Sequence, residues 1–394
     1  MTSAPRTIAV VTGSRADYGL LRGTIRGISK HPDLRLALLV TGSHLAPQFG
    51  MTVRDIEADG FPITARIPLP IEEDTERACA AAMGAACAGF ADVYEDIRPD
   101  ILLVLGDRSE IFAAAVAAVP FRIPIAHIHG GECTEGAIDE QFRHALTKLS
   151  HLHFATIDEH AARILQMGED SNGIVIVGAP GLDAIREAPR LDRAALATTL
   201  ALPVDVPWGV VTYHPATTGE RCHGDPVAEL LAALAAHADV HWVCTASNAD
   251  MGGRAITERI AGAINGGAMR GTLVTSLGTS RYASLLAACE VMVGNSSSGI
   301  IEAPSIGIPV VNVGIRQDGR IRAANVLDVP TVERTAIAAA IRRARSAAFH
   351  ATLSGLVNPY DHGGASAVMV HTLATHQFGT GVRKSFRSLD RTPS

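Results

Sequence analysis

The feature that most constrains this chain is a repeated alternation. Six runs of β-branched or aliphatic residues, at 7–12, 35–41, 101–105, 123–128, 152–156 and 174–178, have strand length, and helical patterns lie between most of them. A charged, Pro-bearing stretch at 186–205 lacks a strand pattern and is expected to be a linker. Five more runs come after it, at 208–213, 241–245, 272–275, 290–294 and 308–312. Strands that alternate with helices predict a parallel, doubly wound sheet. Two such series with one break predict two Rossmann-like α/β lobes, and 394 residues with 47% hydrophobic content suffice for two cores.

Composition narrows the partners. A formal net charge of −6 gives no general attraction to nucleic acid or anionic lipid, so an anionic ligand needs a local cluster of cations. The six cysteines are scattered without a C-x-x-C pair, and the start does not resemble a signal peptide; a soluble protein of a reduced cytoplasmic compartment is expected. The Ala- and Gly-rich stretch 78–90 is too short to cross a bilayer core of about 30 Å and reads as a packed helix. Residues 379–394 carry Arg383, Lys384, Arg387 and Arg391 against Asp390 and read as a frayed, solvated terminus. The stretch 66–75, with Pro68, Pro70, Glu72, Glu73 and Asp74, is expected to be a mobile flap.

Ligands of open α/β sheets sit at the carboxyl ends of strands, so the residues just past each run are the candidates for chemistry. Run 101–105 leads into Gly106-Asp107-Arg108. Run 123–128 leads into His129-Gly-Gly-Glu132, with Asp139, Glu140 and Arg143 beyond. Asp107, His129, Glu132 and Asp139 form a candidate proton-transfer set, with Arg108 to balance developing negative charge. For Glu135, Glu140 and Arg143 the alternative is an ion-pair network bracing the turns. His127 and His129 alternate at a strand end, share a face and invite a metal reading with Glu132 and Cys133. No second cluster has ligand spacing, so no metal site is expected.

Two turns suggest anion binding. Thr12-Gly-Ser-Arg-Ala-Asp17 opens a helix, where backbone N–H groups and Arg15 can converge on an anion; Gly13 and Asp17 can equally well make only a bend and a cap. Gly294-Asn-Ser-Ser-Ser-Gly299 repeats that geometry with hydroxyls, so Ser296, Ser297 and the helix start can hold a diphosphate. Glu302, a turn along the same helix, can accept both hydroxyls of a ribose. His214 ends the first run of the second series and can donate to a phosphate oxygen.

The blocks TGSRADYGLL, LGDRSE, HIHGGE, DEQFRHALTKLSHLHF, the His214-Pro215 pair, SNADMGG and GNSSSGIIEAPSIGIPVVNVGIRQDGR succeed one another over roughly residues 7–375. In that order and spacing the chain resembles the hydrolysing UDP-N-acetylglucosamine 2-epimerases of the sialic and legionaminic acid pathways. The resemblance implies a glycosyltransferase-B-like fold with the active site in the interlobe cleft. It implies an N-terminal lobe at 1–186 on the sugar side, a UDP-binding lobe at 187–365, a helix at 366–378 packing back on the N-terminal lobe, and a flexible tail at 379–394. Residues matching Arg15, His214, Ser296, Ser297, Glu302 and Arg316 hold the UDP diphosphate and ribose in the family, with Arg108 and Leu277 also at the nucleotide-sugar site. Asn248 matches a further contact, with Ser247 where a proline usually stands, and Gly19 stands where some relatives have a serine. Asp107 and Asp139 match the catalytic acids. His129 stands where the sialic acid branch has a glutamate, and this form resembles relatives of 4-amino sugar pathways.

The implied reaction is departure of UDP, loss of the C2 proton to leave a glycal, and addition of water with protonation of C2 on the opposite face. UDP and a free N-acetylmannosamine-type sugar result. UDP-2,4-diacetamido-2,4,6-trideoxyglucose is the alternative substrate. A retaining glycosyltransferase, a non-hydrolysing epimerase and a nucleotide-sugar-binding regulator are the alternative functions. No cofactor, nucleic acid or membrane partner is expected, and a homodimer or homotetramer is.

Overall fold

The computed structural model describes residues 4–73, 75–135, 138–215, 224–247, 252–275, 277–378 and 384–388. The chain divides into two compact units: Met1–Glu132, Asp139–Ala184 and His362–Ser394 form the first, Cys133–Ile138 and Ile185–Asp361 the second.

The first unit is built on seven parallel strands: β1 (Arg6–Thr12), β2 (Leu34–Thr41), β3 (Ile63–Ile67), β4 (Ile101–Leu105), β5 (Ile125–Ile128), β6 (Leu152–Ala155) and β7 (Ile174–Ile176). Their order is β3-β2-β1-β4-β5-β6-β7. The second unit has six parallel strands, β8 (Trp208–Thr212), β9 (His241–Thr245), β10 (Gly271–Val274), β11 (Val291–Gly294), β12 (Val310–Val313) and β13 (Val326–Val329), in the order β10-β9-β8-β11-β12-β13. Both are doubly wound, as the alternation predicts.

Each sheet is buried on both faces. In β1, Ile8 and Val10 join one apolar cluster while Ala9 and Val11 join another; in β11, Val291 and Val293 face one cluster and Met292 the other. Helices on both sides explain why these runs are continuously aliphatic rather than alternating. The helix Ala365–Thr375 packs on the helix Arg15–Lys30 in the first unit. Gly23 and Gly27 make that approach possible, because a Cβ on either would lie within 2.7 Å of Ser366 or Val370. Both ends of the later helix are pinned. The Asp183 carboxylate accepts from Gly364 N (3.1 Å) and Ser366 N (2.8 Å), and Arg6 Nη1 donates to Leu373 O (2.7 Å).

Three expectations need correction. The stretch 186–205 contains the helix Arg193–Leu200, capped by Asp192, whose Leu196, Ala197 and Leu200 enter a core cluster with Trp208; the Arg193 guanidinium lies 3.8 Å over the Trp208 ring. The stretch 66–75 is shorter than expected at both ends, since Arg66 and Ile67 belong to β3 and Thr75 caps the helix Glu76–Ile97. Within the tail, residues 384–388 dock on the first unit. Arg387 N donates to Gly168 O (3.0 Å), Arg387 pairs with Asp170, and Lys384 reaches Glu169 and Ser150 O. The buried Glu169 carboxylate, which also accepts from Lys148 (2.6 Å), gives Lys384 an anchor in the first unit. Among the described residues no helix is long and apolar enough to cross a membrane.

Candidate active site

In each sheet the strand order reverses once, between β1 and β4 in the first and between β8 and β11 in the second. Open α/β sheets take ligands in the crevice outside such a reversal. The sequence places its chemistry there.

After β1, Ser14 caps the helix Arg15–Lys30 by accepting from Asp17 N (3.3 Å), and Asp17 Oδ2 accepts from Gly13 N (3.3 Å). Asp17 thus serves the turn. Glu110 fills the space beneath it, since a Cβ on Gly13 would lie 2.5 Å from Glu110 Oε1. Burial pushes the Asp17 carboxyl up to about 6, with Arg108 pulling against the shift and Glu110 adding to it. Arg15 opens the helix, and burial lowers its pKa against the pull of Asp55. Next to the turn His44 is fully buried between Thr12 Oγ1 (3.0 Å) and Thr52 Oγ1 (2.8 Å), and burial pushes its pKa down to about 4.

After β4 and β5 the candidate acids form a connected group. Asp107 pairs with Arg143, which also donates to Glu140 Oε2 (2.7 Å) and feels the charge of Glu132. Burial of Arg143 works to lower its pKa, but the three carboxylates outweigh it and the net shift is upward. Arg143, only 2% exposed, is therefore the counter-ion of this group. Arg108, expected to balance developing negative charge, donates from Nε to Glu110 Oε1 (2.8 Å). The bracing network suggested for Glu140 and Arg143 exists, and it includes Asp107.

His129 takes a left-handed backbone conformation (φ 68°) directly after β5. The His127–His129 alternation of a regular strand is thereby broken. His127 Nε2 bonds Gly106 O (2.7 Å), whereas His129 Nδ1 donates to the buried Glu132, which also accepts from Thr156 Oγ1 (3.3 Å). A carboxylate on Nδ1 fixes the tautomer and leaves Nε2 as the reactive nitrogen. That Nε2 is buried and has no hydrogen-bond partner among the described groups. Asp139 starts the helix Asp139–Leu149, one turn before Arg143. Among the described residues no group of three or more His, Cys, Asp or Glu could hold a metal ion.

The second unit's strand ends carry amides and hydroxyls. Gly294 ends β11 with φ 137°, and a Cβ there would lie 1.9 Å from Thr212 O, so only glycine fits. Asn295 comes next, almost fully buried. Its side chain accepts from His214 N (2.7 Å) and donates to His214 O (2.8 Å), clamping the turn after β8. Its carbonyl accepts from Gln317 Nε2 (2.8 Å) and Arg316 Nη1 (3.3 Å), from the turn after β12. His214 Nδ1 bonds Ser247 Oγ at 3.1 Å. Asn295 thus brings His214, Ser296, Ser297 and Arg316 together.

The helix behind these serines differs from expectation. It spans only Ser298–Ile301, and Glu302 sits at the junction with a second short helix, Ala303–Ile306. Pro304 has no N–H with which to bond the carbonyl four residues back, so the first helix stops. Ser296 Oγ accepts from Ser298 N (3.3 Å), at the start of that helix. Leu277 buries its side chain in an apolar cluster with Trp208 and Met292, so a ligand contact there has to come from its backbone. Asn248 lies outside the described residues. Glu110, Arg143, Asn295 and Gln317 were missed as site residues. Only Asn295 carried a usable signal, a polar side chain directly after an aliphatic strand.

A family model described as UDP-N-acetylglucosamine 2-epimerase matches residues 26–374. A UDP-N,N'-diacetylbacillosamine 2-epimerase (hydrolyzing) of Legionella pneumophila is 40% identical over 325 residues, 82% of this chain and 85% of that protein. A GDP/UDP-N,N'-diacetylbacillosamine 2-epimerase (hydrolyzing) of Campylobacter jejuni is 35% identical over 323 residues, 82% of this chain and 84% of that protein. In fold, the S. aureus MnaA–UDP co-structure is similar with a TM-score of 0.77 at 18% identity, over 93% of this chain and 96% of that one. With two doubly wound lobes of glycosyltransferase-B-like construction and a family match along most of its length, the chain belongs to the UDP-N-acetylglucosamine 2-epimerase family of enzymes, in its hydrolysing branch.

Proposed function

We propose that the protein converts UDP-2,4-diacetamido-2,4,6-trideoxyglucose, the UDP-N,N'-diacetylbacillosamine of its relatives' names, to UDP and the free manno-configured sugar. UDP-N-acetylglucosamine is then the poorer substrate. The observation that carries this reading is the acid–base group after β4 and β5: Asp107 and Glu140 on the buried Arg143, beside a His129–Glu132 pair. Binding a nucleotide needs no such group. Moving a proton at carbon does.

The C2 hydrogen of the sugar adjoins no carbonyl and is scarcely acidic. The C1–O bond must therefore weaken first, and the departing diphosphate needs electrostatic support. We assign that support to Arg15, Arg108, His214, Ser296, Ser297 and Arg316, with Asn248 and the Leu277 backbone as further contacts and Glu302 on the ribose. A base then takes the C2 proton to leave a glycal, and water adds at C1 as an acid returns a proton to the opposite face. Inversion requires two proton-transfer groups, each contributing about 10²–10⁴-fold. Asp107 and His129 with Glu132 supply them, and Asp139 stands one turn before Arg143 on the same helix. His129, in place of a glutamate, favours the 4-acetamido sugar, as do the names of the relatives at 40% and 35% identity. The free product is of the class consumed in nonulosonic acid synthesis. A cytoplasmic homodimer or homotetramer goes with this reading, and light scattering gives its size.

The test offers both nucleotide sugars to the purified protein and measures UDP and free sugar. The diacetamido sugar should exceed UDP-N-acetylglucosamine in kcat/KM by about tenfold or more, a difference of about 1.4 kcal/mol in transition-state binding. Equal or reversed rates overturn the substrate assignment. Sugar appearing only on an acceptor overturns hydrolysis.

A further inference from the structure

Between the docked C-terminal segment and the turn that carries Asp107 lie buried polar side chains that the reaction above does not use. His127, on β5, is fully buried, and its Nε2 lies 2.7 Å from the carbonyl of Gly106, the residue before Asp107. A carbonyl only accepts, so Nε2 carries the proton and Nδ1 is left as a lone-pair acceptor. Burial pushes the ring's pKa down to about 3 and keeps it neutral. His127 stands in register with His153 on β6, and in adjacent parallel strands such side chains share a face. His153 Nε2 lies 3.3 Å from Glu169 Oε2, and Glu169 accepts from Lys148 (2.6 Å) and from Lys384.

The neighbours on these strands are what a sheet core needs: Ile125, Ala126 and Ile128 on β5, Leu152 and Phe154 on β6. Two imidazoles in their midst are costly, because buried polar groups must be bonded to be tolerated. Nδ1 of both rings has no hydrogen-bond partner among the described groups. The His127 bond to Gly106 O fixes the peptide at the foot of Asp107. Gly106 itself is held in the left-handed region at φ 78°. The Asp107 carboxylate is fixed separately by Arg143, from the helix Asp139–Leu149. Lys384 reaches Ser150 O, just past the C-terminal end of that same helix.

We propose that His127 is a positioning residue for Asp107, and that Lys384 of the docked segment is a second one, acting through Glu169 and the end of the Asp139–Leu149 helix. The assignment rests on the reading in which Asp107 moves a proton. His127 holds the backbone of Asp107; Lys384 steadies the helix that carries its counter-ion.

The test compares His127→Gln, whose amide can replace the Nε2–H donor, with His127→Phe, which fills the volume without a donor. Positional errors of about 1 Å cost up to about 10²-fold, so His127→Phe should lower kcat about 10- to 100-fold with KM within about twofold of wild type. His127→Gln should recover most of that rate. In 15N-labelled protein the Asp107 amide resonance should move in His127→Phe and return in His127→Gln. If His127→Phe does not fold, His127→Asn, too short to reach Gly106 O, takes its place. A kcat within twofold of wild type in the donor-less variant, or an unmoved Asp107 amide, overturns the proposal. A wild-type protein that turns over neither sugar overturns the functional reading instead, and the amide shift still decides His127. Lys384→Met should lower kcat about threefold at unchanged KM, with Lys384→Arg restoring it; a fall in Tm alone, with kcat intact, overturns the part given to Lys384.

Discussion

At the reversal of the first sheet, charges face charges: Asp107 and Glu140 share Arg143, Glu110 holds Arg108, and Glu132 holds His129. At the same place in the second sheet the buried Asn295 organises the turns: its side-chain amide clamps the His214 backbone, and its carbonyl accepts from Arg316. The topology is shared, and the proposed function gives the difference a chemical reason. A group that gives or takes a proton must change charge in a low-dielectric setting, and only a paired, pre-organised environment makes that affordable. A diphosphate arrives fully charged and needs donors already aimed at it. A buried ion network is weak evidence for stability. Its concentration in the first unit supports the proposed assignment of proton transfer to Asp107 and His129.

Variants at equivalent places should separate the two. The largest effect is expected for Asp107→Asn, a loss of about 10²–10⁴-fold in kcat with UDP affinity unchanged by calorimetry. A matching loss of UDP affinity would break the division. Next, Arg143→Met strips the counter-ion from buried carboxylates and should cost about 3–5 kcal/mol in urea unfolding, since breaking a buried pair leaves charge uncompensated. In the second unit, Asn295→Ala removes the clamp on His214 and should weaken UDP binding by about 1–3 kcal/mol, appearing mainly in KM. A kcat effect larger than the KM effect would place Asn295 with the chemistry.

The smallest effect concerns acid. Burial pushes His127 down to about 3 and His44 and His151 to about 4, from an ordinary 6.5, all in the first unit. Between those values and 6.5 the unfolded chain binds more protons than the folded one. Their stability contribution is therefore complete above pH 6.5 and lost as the pH falls toward 4. Both tryptophans, Trp208 and Trp242, lie in the second unit. At pH 5, circular dichroism should begin to change at lower urea than tryptophan fluorescence, and the two curves should draw together at pH 7.5. Coincident curves at pH 5 would remove the contrast.

Much of this was legible in the sequence because parallel strands buried on both faces are continuous aliphatic runs; 101–105 and 241–245 have the bounds of β4 and β9. The two strands missed, β3 and β13, are both edge strands with half-exposed patterns such as Ile63–Ile67 and Val326–Val329. Arg66 and Asp328 interrupt the aliphatic run in β3 and β13, whereas the edge strands β7 and β10 carry no charge. In the site, Asp107, His129 and Ser296 were legible because they lie at strand ends. Arg143 was read only as a brace, because its partner lies 36 residues away, and spacing along the chain says nothing about such a pair. Lys384 was read as part of a solvated tail for the same reason. Its buried carboxylate is 215 residues earlier.

Proton NMR of the reaction in D₂O tests the central claim most directly. With UDP-2,4-diacetamido-2,4,6-trideoxyglucose the account predicts UDP and a free manno-configured sugar carrying deuterium at C2, formed about 10²–10⁴-fold more slowly by Asp107→Asn. A released sugar that keeps its C2 proton would contradict proton transfer by the first unit, and with it the division of labour drawn here.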